Sequence, residues 1–331
     1  MTQRISWSGI VGHKKTITRL KQTIANDRVP HSLIFAGKDG IGKKLAARIF
    51  AAALLCKNRD LCGECESCRL FAAGSHPDYA EILPEGKTLK SIKIDQIREM
   101  QKEAARFPIL SSCRVFVVDD AHLMNEAAGN SLLKTIEEPT GDIKFIFVTS
   151  NPDALLSTVV SRSVPITFGQ LADEETEIVI KNLGFTDRAA EFAAAADGSP
   201  GYALRLKDEN GLAIFQNAAD FLTNIEKFNI DAALNRSEEF AKWPKEQIND
   251  WLMHLNSLLR DLLILSAEAG KVYTDNAMGG RLIRIMPFFT KEKLLLAMAH
   301  IADSRQKFSA NVNVQLFMDS FFIRMIEIIG R

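Results

Sequence analysis

The feature that most constrains the fold is a glycine-rich loop between an apolar run and a helix-forming segment. The loop consists of Gly37, Lys38, Asp39, Gly40, Ile41, Gly42, Lys43 and Lys44. Residues 31–36 before it predict a short buried strand, and residues 43–55 after it carry helix formers with apolar positions spaced to face a sheet. In this context, backbone N–H groups and the helix N-terminus cradle phosphate. The segment therefore predicts a phosphate-binding loop, with an ordinary glycine-rich turn as the alternative.

The last position of the loop departs from the motif. The motif requires Ser or Thr after its lysine, because that hydroxyl ligates Mg²⁺. Here Lys44 follows Lys43, and an ammonium has no lone pair for a metal. We therefore expect a degraded site for ATP and Mg²⁺, in which the charge of Lys44 replaces part of the missing metal charge. Its nucleotide-binding candidates on the loop are Gly37, Gly40, Gly42, Lys43 and Lys44.

Length and charge limit the classes of function. A chain of 331 residues is long enough for two or three domains. Lys plus Arg equals Asp plus Glu at 41 each, so no global field holds the chain on nucleic acid or a membrane. The N-terminus lacks the apolar core of a signal peptide, and no apolar run approaches the roughly 18 residues of a membrane span. These features predict a cytoplasmic protein without membrane contact.

Four of the five cysteines lie within residues 56–68, with the spacing C-x5-C-x2-C-x2-C. They are Cys56, Cys62, Cys65 and Cys68. Such spacing brings four thiolates to one tetrahedral centre, which suits Zn²⁺, and four cysteine ligands leave no open position for a catalytic water. In a reducing compartment a metal is favoured over disulfides. The cysteines therefore predict a structural zinc knuckle, with redox chemistry as the alternative. Cys113 is predicted to be a small buried or half-buried side chain rather than a reactive one.

The apolar pattern predicts an N-terminal α/β region followed by helices. Strands are predicted over residues 78–82, 114–119 and 144–149, and helices over residues 8–30 and 93–106. The β-α-β-α-β order predicts a doubly wound parallel sheet with helices on both faces. From about residue 170 the pattern is helical, and the apolar stripes there, such as Trp251, Leu255, Leu258, Leu259 and Leu262, are typical of a bundle core.

A pair of acidic residues, Asp119 and Asp120, ends the most apolar predicted strand. The carboxyl ends of strands are where an open α/β sheet binds ligands, and an acidic residue there organises Mg²⁺ in phosphate-binding-loop enzymes. Many such enzymes place a Glu next, to orient the attacking water. The Asp120 carboxylate would be about 1.5 Å short of that position, and errors of about 1 Å cost on the order of 100-fold in rate. Asp119 is therefore a predicted site residue, and Asp120 is either a site residue or a solvated helix cap.

Six motifs in a fixed order resemble those of the AAA+ subunits of bacterial clamp loaders. They are the loop from Gly37 to Lys44; the cysteine knuckle; Ser75-His76-Pro77-Asp78; Val118-Asp119-Asp120-Ala121-His122; Asn130 to Pro139; and Val160-Ser161-Arg162-Ser163. The resemblance extends from Val11 to about Leu206, with a weaker echo from Asn311 to Leu316. The ordered set is far more specific than any one motif. It implies a P-loop AAA+ domain over residues 1–168 with the zinc module 56–68, a helical lid over residues 169–208 and an all-α collar over residues 209–331.

Within this family the pattern is closer to the delta-prime type of subunit than to the ATP-hydrolysing gamma/tau type. The ATPases carry Ser or Thr where Lys44 stands, and an Arg that senses the γ-phosphate where Gly201 stands. Arg162 is retained, although the Cys that follows it in the family is Ser163 here. The resemblance implies that Arg162 is an arginine finger acting on a neighbouring subunit. It also implies a sensor-1 region at Thr149 and Ser150. A surface salt bridge is the alternative role for Arg162.

The resemblance implies a stator in a five-subunit clamp loader of the DNA polymerase III holoenzyme. Its partners would be gamma/tau and delta subunits, with the sliding clamp and primed DNA in the complex, and its own ATPase would be weak or absent. Two alternatives remain open. The chain is a true ATPase, either gamma/tau-like or another AAA+ remodelling enzyme, or it is a zinc-dependent DNA-binding protein, which the nil net charge disfavours.

Overall fold

The computed structural model of the protein describes residues 5–86, 91–138, 141–187, 189–196, 198–206, 209–266, 276–308 and 312–329. Pro139 and Asn311, which belong to two of the sequence motifs, lie outside these residues. The chain divides into two compact units. The first comprises residues 1–179 with 198–201, and the second comprises residues 180–197 with 202–331. The separation of a lid, residues 169–208, from a collar, residues 209–331, stays a prediction.

The first unit is built on a five-stranded sheet in which every neighbouring pair of strands is parallel. The strands are β1 Ser32–Ala36, β2 Tyr79–Ile82, β3 Arg114–Val118, β4 Ile143–Thr149 and β5 Val164–Thr167. Their spatial order is β2-β3-β4-β1-β5. The sequence order therefore crosses over between neighbours, which confirms the predicted α/β fold with a doubly wound parallel sheet.

Helices cover both faces of this sheet. They are α1 Lys14–Ala25, α2 Lys43–Leu55, α3 Glu66–Ala72, α4 Ile94–Ala104, α5 Glu126–Glu137 and α6 Ser157–Val160. In β1, Leu33 and Phe35 pack with α1, α2 and α3 in one core layer. Ile34, between them, packs with α4, α5 and α6 in the other layer. The alternation of side chains along the strand thus buries both faces, which explains the continuous apolar runs in the sequence.

The structure differs from the predicted elements in two places: one helix is shorter than predicted, and one strand was not predicted. The helix predicted over residues 8–30 is limited to α1, because Gly12 and His13 before it and Asp27 after it have left-handed backbone conformations, with φ of 74°, 52° and 52°. Strand β5 has no counterpart among the predicted strands. It pairs only with β1 at the sheet edge and contains Pro165, which lacks an N–H and is tolerated on an edge strand. Of its side chains only Ile166 is buried, so the apolar signal is weak.

The described residues of the second unit form helices joined by turns and short loops. Two helices, α7 Asp173–Asn182 and α9 Pro200–Leu206, begin in the first unit and end in the second. The other helices are α8 Ala189–Ala195, α10 Glu209–Thr223, α11 Ile230–Phe240, α12 Lys245–Ser266, α13 Asn276–Ile285, α14 Lys291–Lys307 and α15 Val314–Ile329. The stripe on α12 is buried, as predicted for a bundle core. Trp251 lies at its centre among Phe221, Phe240, Phe321 and Phe322. Among the described residues, no helix is both long enough and apolar enough to cross a bilayer.

Candidate nucleotide site and metal centre

The glycine-rich loop connects β1 to α2, as predicted. Two of its glycines are required by geometry. Gly42, immediately before α2, has φ of 95°, which side chains rarely adopt. Gly37 runs so close to the backbone that an added Cβ would lie 2.4 Å from the Phe168 carbonyl oxygen. The loop is therefore held against the sheet in the strand-loop-helix arrangement of a phosphate-binding loop.

The loop lies at the carboxyl ends of the parallel strands, where Asp119 and Thr149 also lie. Asp119 directly follows β3, and Thr149 is the last residue of β4. The Gly37 N–H donates to the Thr149 carbonyl oxygen at 3.3 Å. The carboxyl ends of parallel strands meet at one edge, so the predicted site residues from three elements converge there. Ser150 follows Thr149 in a bend at the same edge.

Lys43 is the buried cation of the loop. Its side chain is nearly inaccessible, at 6% exposure, and its Nζ donates to the Lys38 carbonyl oxygen at 2.6 Å. Burial lowers the pKa of Lys43, while the nearby carboxylates of Asp39, Asp120 and Asp119 act in the opposite direction. The ammonium is thus fixed by the loop itself rather than extended into solvent.

Lys44 forms an ion pair with the predicted metal-organising residue. Its Nζ lies 2.9 Å from Asp119 Oδ2 and 3.7 Å from Glu81 Oε2. One turn along α2, Arg48 Nε lies 3.0 Å from Glu81 Oε1, which also accepts a hydrogen bond from the Tyr79 hydroxyl at 2.6 Å. Two cations on one helix face therefore neutralise two carboxylates at the sheet edge. Because Lys44 offers no oxygen and already occupies Asp119, these residues do not fit a divalent cation.

Asp120 precedes a 3₁₀ turn over Ala121–Leu123 and has a left-handed φ of 46°. Its side chain makes no hydrogen bond that caps the turn. Burial, and then the neighbouring charge of Asp119, raises the pKa of Asp120. The environment at the carboxyl ends of the strands therefore disfavours the ionised form of the Asp120 carboxyl group.

His122 and Glu81 belong to the same edge, although the sequence pattern did not single them out as site residues. His122 Nδ1 lies 3.2 Å from the Thr149 hydroxyl, which in turn accepts the Asn151 N–H at 3.0 Å. Burial lowers the pKa of His122. The available signal was position: Glu81 is an acidic residue in β2 beside the end of β3, and His122 is two residues beyond the acidic pair.

Residues 198–201 contact the loop from a distant part of the sequence. The Gly201 N–H donates to the Gly40 carbonyl oxygen at 2.9 Å, and the Ser199 hydroxyl donates to the Asp39 carbonyl oxygen at 2.8 Å. A Cβ added to Gly201 would lie 2.7 Å from Gly40 Cα. In this arrangement a side chain at position 201 requires the backbone of the loop to shift.

Arg162 is placed outside this cluster of loop residues. It follows α6, and its Nη2 lies 2.7 Å from Glu137 Oε1 at the end of α5. Its Nη1 donates to the Thr158 carbonyl oxygen and the Ser161 hydroxyl. Both members of the ion pair are exposed, at 39% and 46% of the side-chain surface. An exposed pair of this kind contributes little to the stability of the fold.

The four clustered cysteines have the geometry of a tetrahedral metal site. The sulfur of Cys56 lies 3.6 Å from that of Cys62 and 4.0 Å from that of Cys65, and Cys62 and Cys68 are 4.0 Å apart. All four sulfurs lie within 4.8 Å of one another. Tetrahedral bonds of about 2.3 Å to zinc require sulfurs about 3.8 Å apart. The cluster could therefore hold a metal such as zinc.

Backbone hydrogen bonds favour the ionised thiol at Cys56 and Cys65, whereas burial raises the pKa of Cys68. Burial of Cys56 opposes its ionisation, but hydrogen bonds from the backbone of Cys62, Asp60 and Asn58 lower its pKa to about 6. The Cys68 N–H donates to the Cys65 sulfur at 3.4 Å in the same way at the start of α3. A thiolate is the form that binds a metal. By contrast, burial raises the pKa of Cys113 to about 11, in keeping with its predicted role as a buried side chain.

The motif of residues 75–78 connects the cysteine knuckle to neighbouring parts of the first unit. His76 Nε2 lies 2.8 Å from the Ser67 hydroxyl, which donates to the Leu55 carbonyl oxygen at 2.6 Å. Asp78 is buried, and its carboxylate accepts the N–H groups of three successive residues, 109 to 111, at 2.7, 2.8 and 2.9 Å. Arg114 Nε lies 3.6 Å from the same carboxylate. These contacts give the motif a structural role that links α3, β2 and the loop before β3.

Comparison with known proteins identifies relatives among DNA polymerase III subunits. The family profile described as "DNA polymerase III, delta subunit" matches residues 12–172. DNA polymerase III subunit delta' of Pseudomonas aeruginosa is 28% identical over 91% of this chain and 93% of its own length. DNA polymerase III subunit tau/gamma of Haemophilus influenzae is 32% identical over 62% of this chain, which spans only 30% of that protein. A gamma subunit-related protein of Thermotoga maritima has a similar solved structure, with a TM-score of 0.40 and 16% identity over 95% of this chain and 99% of its own.

Proposed function

Because the chain belongs to the clamp-loader subunit family of DNA polymerase III, we propose that it acts as a delta-prime-type stator. In this role it holds one place in a ring with gamma/tau and delta subunits, which load the sliding clamp onto primed DNA at the expense of ATP. The observation that carries the proposal is the ion pair of 2.9 Å between Lys44 and Asp119, at the position where an ATPase binds its metal. A site occupied in this way favours a subunit whose own ATPase is weak or absent.

We assign the contribution of the chain to catalysis to Arg162, which would act on the nucleotide site of a neighbouring subunit. Its guanidinium is exposed and is held by a weak surface pair, so a γ-phosphate with developing negative charge is a stronger partner than Glu137. An arginine supplied in trans is worth about 10³- to 10⁵-fold in phosphoryl transfer. The stator thus adds to a neighbour's reaction without performing its own.

The test is ATP hydrolysis and clamp loading by a reconstituted clamp loader containing the wild-type chain, Arg162→Ala or Lys43→Ala. We expect Arg162→Ala to slow hydrolysis at the adjoining site about 10³-fold and to abolish loading, and Lys43→Ala to leave both unchanged. Arg98→Ala is a matched control, because Arg98 is also exposed and also pairs with a nearby carboxylate, that of Asp95. Wild-type rates with Arg162→Ala would refute the assignment.

A second candidate is favoured by sequence identity. The tau/gamma relative is 32% identical over 216 residues, whereas the delta' relative is 28% identical over 312 residues. In this alternative the chain is an active ATPase of the gamma/tau kind or another AAA+ remodelling enzyme. Sustained ATP turnover by the purified chain, lost in Lys43→Ala, would establish it and displace the stator.

For the second unit we propose a collar that joins neighbouring subunits, preceded by a small lid. Support comes from large apolar side chains that stay exposed on its outer helices. They include Leu295 and Leu296 on α14 and Leu316 on α15, which are 49%, 50% and 69% exposed. By contrast, Phe321 and Met325 on the same helix as Leu316 are buried. Exposed apolar groups of this kind are typical of subunit interfaces.

For the cysteine cluster we propose a structural zinc ion bound by Cys56, Cys62, Cys65 and Cys68. The sulfur spacing and the absence of a non-cysteine ligand in the set support structure rather than catalysis. Zinc would fix the segment between α2 and α3 onto the sheet domain. A redox-active cluster is the alternative, and it predicts reversible disulfide formation with loss of bound metal.

A further inference from the structure

The nucleotide site already contains a cation, supplied by the protein itself. Lys44 is the second residue of α2, directly after the loop lysine, where the motif places its metal-binding hydroxyl. Its ammonium lies 2.9 Å from Asp119 and 3.7 Å from Glu81. We propose that Lys44 is a tethered counter-ion that takes the place of the divalent cation and keeps a metal–nucleotide complex out of the site. This inference deepens the proposed function, because both rest on the ion pair between Lys44 and Asp119.

The charges around Lys44 show why a divalent ion is excluded. Asp119 is the acidic group at the site edge that could organise a metal, and Lys44 neutralises it. Glu81, on the neighbouring strand, is neutralised by Arg48 at 3.0 Å and by the more distant Lys44. A divalent ion approaching Asp119 would therefore meet an ammonium at contact distance and be repelled. Salt screens this repulsion between the ammonium and a divalent ion only weakly, because the Lys44–Asp119 pair is only partly exposed.

The tether makes this exclusion persistent. A mobile cation must lose translational freedom to occupy a site, whereas Lys44 is covalently attached and always near Asp119. Its position is further defined by α2, which starts at Lys43 and carries Arg48 one turn later on the same face. A metal ion must both displace the ammonium and do without an oxygen ligand from position 44. Lys44 thus opposes metal binding in two ways.

The rest of the loop remains compatible with phosphate. The contacts from residues 199 and 201 use the carbonyl oxygens of Asp39 and Gly40, and so do not consume loop N–H groups, which are the groups that bind phosphate. Asp119 is retained. A single change, Lys44→Thr, therefore supplies the missing hydroxyl and exposes the carboxylate at the same time. The inference accordingly predicts a gain of function rather than a loss.

The experiment is calorimetric titration of the full chain with ATP, in Mg²⁺ and in EDTA. Four proteins are compared: wild type, Lys44→Thr, Lys44→Arg and the double variant Lys44→Thr, Asp119→Asn. We expect Lys44→Thr to bind ATP about 10-fold or more tightly in Mg²⁺ than in EDTA, a change typical of altering one partner in a metal site. Lys44→Arg keeps the tethered cation and should resemble wild type, with no gain from Mg²⁺. The double variant should lose the gain.

Each outcome decides the inference. ATP binding by the wild type that is strengthened by Mg²⁺, or a folded Lys44→Thr protein without any Mg²⁺-dependent gain, would overturn it. A gain that persists in the double variant would also overturn it, because the metal would then not use Asp119. Thermal melting checks that the variants fold, and Lys44→Ser, which supplies the same hydroxyl, replaces Lys44→Thr if that protein does not. None of these results depends on Arg162, so the arginine-finger assignment is tested separately.

Discussion

Asp78 shows how a single residue organises a loop of the first unit. It stands directly before β2 and is buried, yet it carries a full set of partners in three successive backbone N–H groups and Arg114. Burial by itself would raise the pKa of Asp78, but these backbone hydrogen bonds and then Arg114 lower it. The carboxylate is therefore stabilised in its ionised form, and it fixes the loop that leads into β3.

Replacing this residue should destabilise the protein strongly. We expect Asp78→Ala to lower the free energy of unfolding by about 3–5 kcal/mol, because it leaves three N–H groups without their acceptor and leaves Glu103 as the remaining carboxylate beside the buried Arg114. Since the folded-state pKa of Asp78 lies below its ordinary value of 3.8, its contribution is complete above that pH and is lost as the pH falls below it. Denaturant unfolding of wild type and variant at several pH values measures both effects.

A matched control for this prediction is Asp95→Ala. Asp95 lies in the first turn of α4 and is 83% exposed, and its ion-pair partner among the described residues is Arg98. Its replacement should change the free energy of unfolding by less than about 1 kcal/mol. Equal effects of the two substitutions would contradict the structural role of Asp78.

At the level of secondary-structure elements, the start of α9 lies in a restrictive environment. Gly201 lies against the backbone of the glycine-rich loop, and its N–H is used in a hydrogen bond to Gly40. The contact joins a helix to a loop from a much earlier part of the chain. It fixes the loop conformation through backbone groups alone, which leaves little tolerance for a side chain.

We therefore expect Gly201→Ala to be destabilising, although alanine normally favours a helix. The added Cβ would approach Gly40 Cα to 2.7 Å, and overpacking of this kind costs about 1–3 kcal/mol. Gly169→Ala is the matched control, because no atom lies within 4 Å of a Cβ at that position. Thermal melting of both variants provides the comparison, and a Gly201→Ala protein as stable as the control would show that the loop moves without cost.

For the chain as a whole, the two units have separate cores and separate means of stabilisation. The first unit buries both faces of a sheet and includes the cysteine cluster, whereas the second buries an aromatic centre around Trp251. Loss of a bound metal should therefore affect the units unequally.

Removal of zinc by chelation should lower the melting temperature of the first unit by about 5 °C or more, because a structural metal contributes directly to folding. Amide hydrogen exchange should rise over residues 56–76 and stay unchanged in α12. Cys62→Ser should purify without zinc, while Cys113→Ser, which alters the cysteine outside the cluster, should retain one zinc per chain. An unchanged melting temperature after complete chelation would refute a structural role for the metal.

Most of the sheet could be predicted from the sequence because its signals are local. The apolar runs of β1, β3 and β4 and the glycine spacing after β1 each lie within a few residues of one another. The four cysteines are equally local, with all members inside residues 56–68. Strand β5 was not predictable in this way, because an exposed edge strand containing Pro165 has no continuous apolar run.

The sequence by itself thus determined the parallel α/β class, the phosphate-binding loop and the cysteine ligand set, since short-range spacing specifies them. Only the tertiary structure decided what these parts do to one another. In the sequence Lys44 is only a departure from a motif, and folding brings its ammonium to the carboxylate of Asp119. Ser199 and Asp39 are 160 positions apart and come into contact only in the folded first unit. Charges act on each other at a few ångströms in space, whatever their separation along the chain. That is why the change from a metal site to an internal ion pair became visible only in three dimensions.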